Sequence, residues 1–226
     1  MPCAKVADKC SVNWRKSDCT SPMPTARVRE AVYRAIKRLL LDGERPCGSR
    51  LEARQIAQRL SVTVIPVREV FHQLAAEEMI SYVPDQGFFV PTIDELRLRH
   101  IFEHYRNLLL IPIICSSTDS PAILEDGSYP DQAAGLFLQL ASRSGNRELV
   151  AEISKRNDRL HPIRRFDPHI FNDTALDLED IVAAANDDPS GTKLRSAIER
   201  YFHRRIAAVQ QYIRLMTLPT DRPSSP

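Results

Sequence analysis

The chain has 226 residues, 43% of them hydrophobic, and a formal net charge of +2. One or two buried cores fit that length and composition, while the near-neutral balance excludes nucleic-acid binding by bulk attraction, so any such site has to be a placed face. The longest apolar run, Leu108 to Cys115, contains Pro112 and falls far short of the roughly 20 residues of a membrane helix; with no signal-peptide pattern at the start, a soluble cytoplasmic protein with no membrane partner is expected.

Residues 1–24 carry Lys5, Lys9, Arg15, Lys16, a Ser-Pro-Met-Pro run and three cysteines without zinc-ligand spacing. They are expected to form a disordered leader with reduced thiols. From Arg27 to Asp42, residues Ala31, Val32, Ala35, Ile36, Leu39 and Leu40 recur on one helical face, and Gly43 is placed to end the helix. Ile56, Ala57 and Leu60 mark the buried side of a second, short helix. Val67, Val70, Phe71 and Leu74 do the same for a third. The connection Leu60-Ser61-Val62-Thr63 is so short that the two helices must pack at an angle. Thr63 is suited to cap the third helix through its hydroxyl, with Pro66 in the first turn, where a missing N–H costs little. Two short strands, Ile80–Val83 and Gly87–Val90, flank Pro84-Asp85-Gln86. Residues 25–92 therefore read as a winged helix-turn-helix with a small β-hairpin wing.

Past Thr92 the pattern is helical. A long helix begins near Asp94 and runs to Pro112, a loop rich in Ser, Asp, Pro and Gly covers 116–130, and further helices are expected over 132–143, 147–161, 178–186 and 192–216. The fold class is mainly α, with an all-α bundle over 93–216 and a disordered tail over 217–226.

The run Ser61-Val62-Thr63-Val64-Ile65-Pro66-Val67-Arg68-Glu69-Val70, with Leu74, Glu78, Met79, Ile80 and Gly87-Phe88-Phe89-Val90, resembles the DNA-binding domain of the GntR family of bacterial transcription regulators. Ala31 to Ile36, Gly43, Gly48, Leu51, Ile56-Ala57 and Leu60 keep the same register upstream. This resemblance implies that Arg54, Thr63 and Arg68 contact DNA; they lie off the apolar stripes, where the alternative is a solvated helix face. A guanidinium can read guanine bidentately, Thr63 suits a phosphate or base, and Gly87 lets the wing approach the duplex with a positive φ. Where many relatives carry Ser-Arg-Thr-Pro-Val-Arg, this chain has Thr63-Val64-Ile65-Pro66-Val67-Arg68. Val64 and Ile65 cannot donate to guanine but can touch a thymine methyl, so an A·T-containing half-site or weaker specificity is expected.

The second domain resembles the helical effector domain of the FadR-like branch, often called FCD, through Tyr105-Arg106, Ala141 to Asn146 and Tyr201-Phe202-His203. It is shortened between Arg106 and Asn146. In many relatives an acid and three histidines hold a divalent metal and a carboxylate ligand; Ala133 stands here for the acid, Phe137 for one histidine, and only carboxylates lie near Leu178, leaving His203. The ligand set is incomplete for a divalent metal, and no cofactor is expected. Arg106, with Asn146 and His203, is the candidate contact for a small carboxylate effector; an internal ion pair is the other role open to Arg106. A dimeric repressor on a palindromic operator, answering to an organic acid, is implied. The alternatives are a DNA-binding relative that has lost sensing and acts constitutively or through a protein partner, and, remotely, a metal-dependent enzyme, for which no nucleophile and base are apparent.

Overall fold

The computed structural model describes residues 24–114, 121–187 and 191–217. The first part comprises α1 (Pro24–Leu41), β1 (Arg50–Leu51), α2 (Ala53–Arg59), α3 (Val64–Ala76), β2 (Ser81–Val83) and β3 (Gly87–Phe89). The strands form an antiparallel sheet in the order β1-β3-β2. Val32, Ile36, Leu39 and Leu40 of α1 meet Ile56, Ala57, Val67, Val70, Phe71 and Leu74 in one core. Amphipathic spacing accounts for this packing, because each helix buries the stripe that water would otherwise cover. Gly43, at φ 60°, closes α1: its amide donates to the Leu40 carbonyl at 3.1 Å and that of Glu44 to Leu39 at 3.3 Å.

The remainder is all-helical: α4 (Glu95–Ile114), α5 (Tyr129–Ser142), α6 (Arg147–Arg164), α7 (Asp167–Ile170), α8 (Thr174–Asp187), α9 (Thr192–Ala207) and α10 (Val209–Thr217). A mainly α chain with a winged helix-turn-helix followed by a helical bundle is what the periodicity predicts. Four details differ. The wing has a third strand, β1, too short to show an alternating pattern. Helix α4 continues through Pro112 instead of stopping there, since a proline in the last turn sacrifices one hydrogen bond near an end that is already short of partners. The single turn α7 has no periodicity to announce it. The helix expected over 192–216 breaks at Ala208, whose amide is shared by the carbonyls of Arg204 and Arg205 at 3.1 and 3.2 Å. The expected leader and tail lie outside the described residues except at their inner ends, where Pro24 opens α1 and Thr217 closes α10.

The breaks serve a buried ion pair. Arg205 on α9, 1% exposed, donates from Nε to Asp167 of α7 at 2.8 Å, and from Nη1 to Asp177 of α8 at 2.9 Å and to the Tyr201 carbonyl at 2.9 Å. Its Nη2 donates to the Tyr129 hydroxyl on α5 at 2.7 Å, and Tyr212 on α10 donates to Asp167 at 2.6 Å. Burial opposes the charge on Arg205, but the surrounding tyrosines and Asp167 outweigh it and hold the guanidinium firmly protonated. Burial, with Asp167 beside it, pushes the Tyr212 hydroxyl well above its ordinary range, so it stays a donor. Five helices are tied to one guanidinium. Removing the Asp167 carboxylate leaves the buried cation with Asp177 as its one remaining counter-ion: Asp167→Ala is expected to destabilise the chain by about 3 kcal/mol, read as a lowered urea midpoint, whereas Asp173→Ala, on an exposed partner of Arg204, should leave the midpoint nearly unchanged.

Candidate nucleic-acid interface

The turn between α2 and α3 is set by Ser61 at φ 54°, with its amide donating to Gln58 O at 3.1 Å and that of Val62 to Ala57 O at 3.0 Å. This closes α2 and swings α3 across it. The buried faces leave Arg54, Gln55 and Gln58 of α2 and Thr63, Ile65, Arg68 and Glu69 of α3 exposed. Thr63 is the residue before α3, as expected of a cap, but its hydroxyl makes no capping hydrogen bond. That hydroxyl is left to face outward. Among the described residues, neither Arg54 nor Arg68 is held in an ion pair, in contrast with Arg59, bonded to Glu44 at 2.9 Å, and Arg50, paired with Glu52 at 3.2 Å. Two unengaged guanidinium groups and a hydroxyl therefore project from the start of α3 and the adjoining face of α2.

Val64 and Ile65, expected together at the duplex, part company in the structure. Ile65 is 69% exposed, whereas Val64 is half-buried and packs against the winged core. An α-helix turns about 100° per residue, so adjacent side chains cannot share a face. Of the two, Ile65 is the one with a largely exposed apolar side chain.

The wing is fixed to α3 by a file of rings. Phe88 lies 5.0 Å from Phe71, 5.0 Å from His72 and 5.0 Å from Tyr82, which is itself 52% exposed. Gly87 has φ 102°, the positive angle expected of it. The guanidinium of Arg50 lies just over the Gly87 backbone, 3.8 Å from where a Cβ would stand. Sequence reasoning missed Arg50 because it sits on β1. The tip itself, Pro84-Asp85-Gln86, holds a carboxylate and no cation, so positive charge on the wing comes from its base.

Within the helical domain, the expected effector residues are not brought together. Arg106 is half-buried, with Nε and Nη2 donating to the side-chain Oδ1 of the neighbouring Asn107 at 3.4 and 3.3 Å. Asn146 is exposed and caps α6, accepting from the amides of Glu148 and Leu149 at 3.1 and 3.3 Å. His203 is exposed on α9. Ala133 and Phe137 are fully buried, and the Phe137 ring packs edge-on to Tyr105 and Tyr201 at 5.7 and 5.1 Å. These side chains offer no donor atoms, so the residues present do not fit a metal at this place, and among the described residues no three metal-ligating side chains converge elsewhere. The small cavity between Leu109, Leu140 and Ile198 holds about 10 Å³, room for one water at most. In the centre of the bundle Arg164, 2% exposed, lies 5.5 Å from the Tyr105 ring and 5.3 Å from that of Phe137, bonded to Asn157 at 3.1 Å. Aromatic faces fill the interior.

Residues 28–90 match the profile of the bacterial regulatory proteins of the gntR family. The winged domain is a GntR-family DNA-binding domain. No curated protein matches it by sequence. In fold it is similar to E. coli McbR/YncC, with a TM-score of 0.62 and 20% identity over 81% of this chain and 97% of that one. It is also similar to a transcriptional regulator GntR from Rhodococcus sp. RHA1, with a TM-score of 0.69 and 15% identity over 82% and 98% of the two chains. A third likeness is to Lar, described as controlling expression of the Listeria monocytogenes agr system and mediating virulence, with a TM-score of 0.52 and 16% identity over 81% and 97%. At such identities the likeness shows a shared fold. The GntR domain carries DNA binding, and among the described residues no helix is long and apolar enough to cross a membrane. If Arg68 neutralises one phosphate or reads one base, Arg68→Ala should weaken binding to the DNA upstream of its own gene and reduce the salt slope by about 1, measured by fluorescence anisotropy across a salt series.

Proposed function

We propose that the chain is a cytoplasmic, homodimeric repressor in which two winged domains, each spanning residues 25–92, bind the half-sites of a palindromic operator. The observation that carries this reading is an exposed trio, Arg54 on α2, Thr63 at the start of α3 with no capping hydrogen bond, and Arg68 on α3, in which neither arginine has an ion-pair partner among the described residues. Paired half-sites, about one helical turn apart, repeat one contact geometry through two-fold symmetry. Arg54 and Arg68 supply contacts to guanine or phosphate, Thr63 a phosphate or base contact, and Gly87 with Arg50 the approach of the wing. Ile65 is the apolar contact for a thymine methyl, with Val64 supporting it from the core.

Residues 93–216 form the dimerisation domain of a FadR-like relative that has lost metal-dependent sensing. The buried Ala133 and Phe137 support this, because they replace ligand atoms with close-packed carbon. Sensing of an organic acid would require this interior to open, since the Arg164 guanidinium that suits a carboxylate is 2% exposed between the Tyr105 and Phe137 rings. The roles first expected of Arg106, Asn146 and His203 are not retained, since a surface contact, a helix cap and a solvated ring do not make one pocket.

Selection of preferred sequences from a random duplex pool tests the specificity. Ile65→Arg is expected to add preference for guanine at one position of each half-site, worth about 1–3 kcal/mol. Val64→Arg, on a half-buried residue, should instead lower stability; an unchanged preference in Ile65→Arg would remove Ile65 from the interface.

A further inference from the structure

The two domains meet where α1 lies against α6, and one α6 side chain reaches both α1 and α5. His161 of α6 is 7% exposed. Its Nδ1 lies 3.1 Å from the carbonyl oxygen of Leu41, the last residue of α1. On the other edge of the ring, Nε2 lies 2.9 Å from Oδ1 of Asp131, in the first turn of α5. Both neighbours are acceptors, and a carboxylate at neutral pH has no proton to give. A neutral imidazole has one N–H and one lone pair, so it can satisfy one neighbour while turning its lone pair on the other; the imidazolium donates to both.

Asp131 and the end of α1 supply the two acceptors, and the other charged groups nearby are largely engaged elsewhere. The carbonyls of Arg38, Leu39 and Leu40 are taken by the amides of Asp42, Glu44 and Gly43. Leu41 keeps its carbonyl for His161, at a helix end whose dipole favours positive charge. Burial pushes the Asp131 carboxyl up, but hydrogen bonds from Ser128, at 2.6 Å, and from His161 outweigh it and hold it below its ordinary value. From α1, Arg38 adds attraction to Asp131 and is itself paired with Asp42 at 3.1 Å, and Lys37 pairs with Asp158 of α6 at 2.5 Å. From α6, Arg159 pairs with Glu78 and Arg165 lies against Gly43, its Nη1 2.5 Å from where a Cβ would stand. The neighbouring Arg164 guanidinium sits inside the bundle between Tyr105 and Phe137.

We propose that His161 is a proton-operated latch between the DNA-binding and helical domains: the imidazolium ties Leu41 to Asp131, and the neutral ring releases one of them. Protonation docks the winged domain, and proton loss frees it. The linkage has two limbs. On the alkaline side the latch fails as the ring loses its second N–H. On the acid side it fails as pH falls through the lowered value of Asp131, because a carboxyl depressed in the folded state contributes its stabilisation only above its unfolded value. The latch bears on regulation only if the chain is the DNA-binding regulator proposed above.

Scanning calorimetry of the full chain at about pH 5 and about pH 8.5, which bracket the window where imidazoles change charge, tests the latch without DNA. The expected result is one transition at the lower pH that separates into two at the higher. Asp131→Asn should abolish the separation, since its amide can donate to the neutral ring while that ring donates to Leu41. His161→Gln should give one profile at both pH values; if it does not fold, Asp131→Asn decides. Identical wild-type profiles at both pH values, or an Asp131→Asn protein that separates as the wild type does, would overturn the latch. Anisotropy with the DNA upstream of the chain's own gene, in the same buffers, should show a several-fold change in wild-type affinity that Asp131→Asn removes. Calorimetric separation without DNA binding at either pH would overturn the regulator and leave the latch standing.

Discussion

A guanidinium taken out of water dictates much of the architecture of the helical domain. Isolated, a buried charge costs several kcal/mol, and its Coulomb attraction offsets that only when the remaining donors are also satisfied. Arg205 has Asp167, Asp177, the Tyr201 carbonyl and the Tyr129 hydroxyl arranged around its donors. Each partner comes from a different part of the chain, so the pair is satisfied only when α5, α7, α8 and α9 are all in place. Tyr212 extends the requirement to α10. The short helix α7 and the break at Ala208 are consequences: one brings a carboxylate inward, and the other turns the last helix so that its tyrosine can reach it.

A second constraint is the aromatic filling around Arg164. Tyr105, Phe137, Tyr201 and Phe202 pack ring to edge at separations of 5.1–6.0 Å, the offset geometry that aromatic quadrupoles favour. Such a centre resists opening, because each ring is held by two or more others. The centre of the helical domain is filled with rings, and its contacts with the winged domain lie on its surface.

Those contacts are few and polar. Lys37 with Asp158, Arg159 with Glu78 and His161 between Leu41 and Asp131 join the two domains, whereas each domain has its own separate apolar core. Polar junctions respond to protonation and salt, and apolar cores do not. Within the winged domain, the Phe71–Phe88–Tyr82 file packs the wing against α3.

The sequence by itself determined the winged helix-turn-helix, because apolar steps of three and four, a short polar turn and a glycine-bearing hairpin are local signals that no distant residue has to supply. It also determined that Arg54, Thr63 and Arg68 stand off the core, and that Ala133 and Phe137 cannot ligate a metal, since neither side chain carries a donor atom. Tertiary structure alone decided which of two adjacent residues, Val64 or Ile65, faces outward, and that Thr63 leaves its hydroxyl uncapped. It also decided that Arg106, Asn146 and His203 do not converge, and that His161, 120 residues from Leu41, is the side chain shared by both domains. Periodicity records which face of a helix is buried; it carries no information about what that face is buried against, and ion pairs such as Arg205–Asp167 and hydrogen bonds across domains depend entirely on the second.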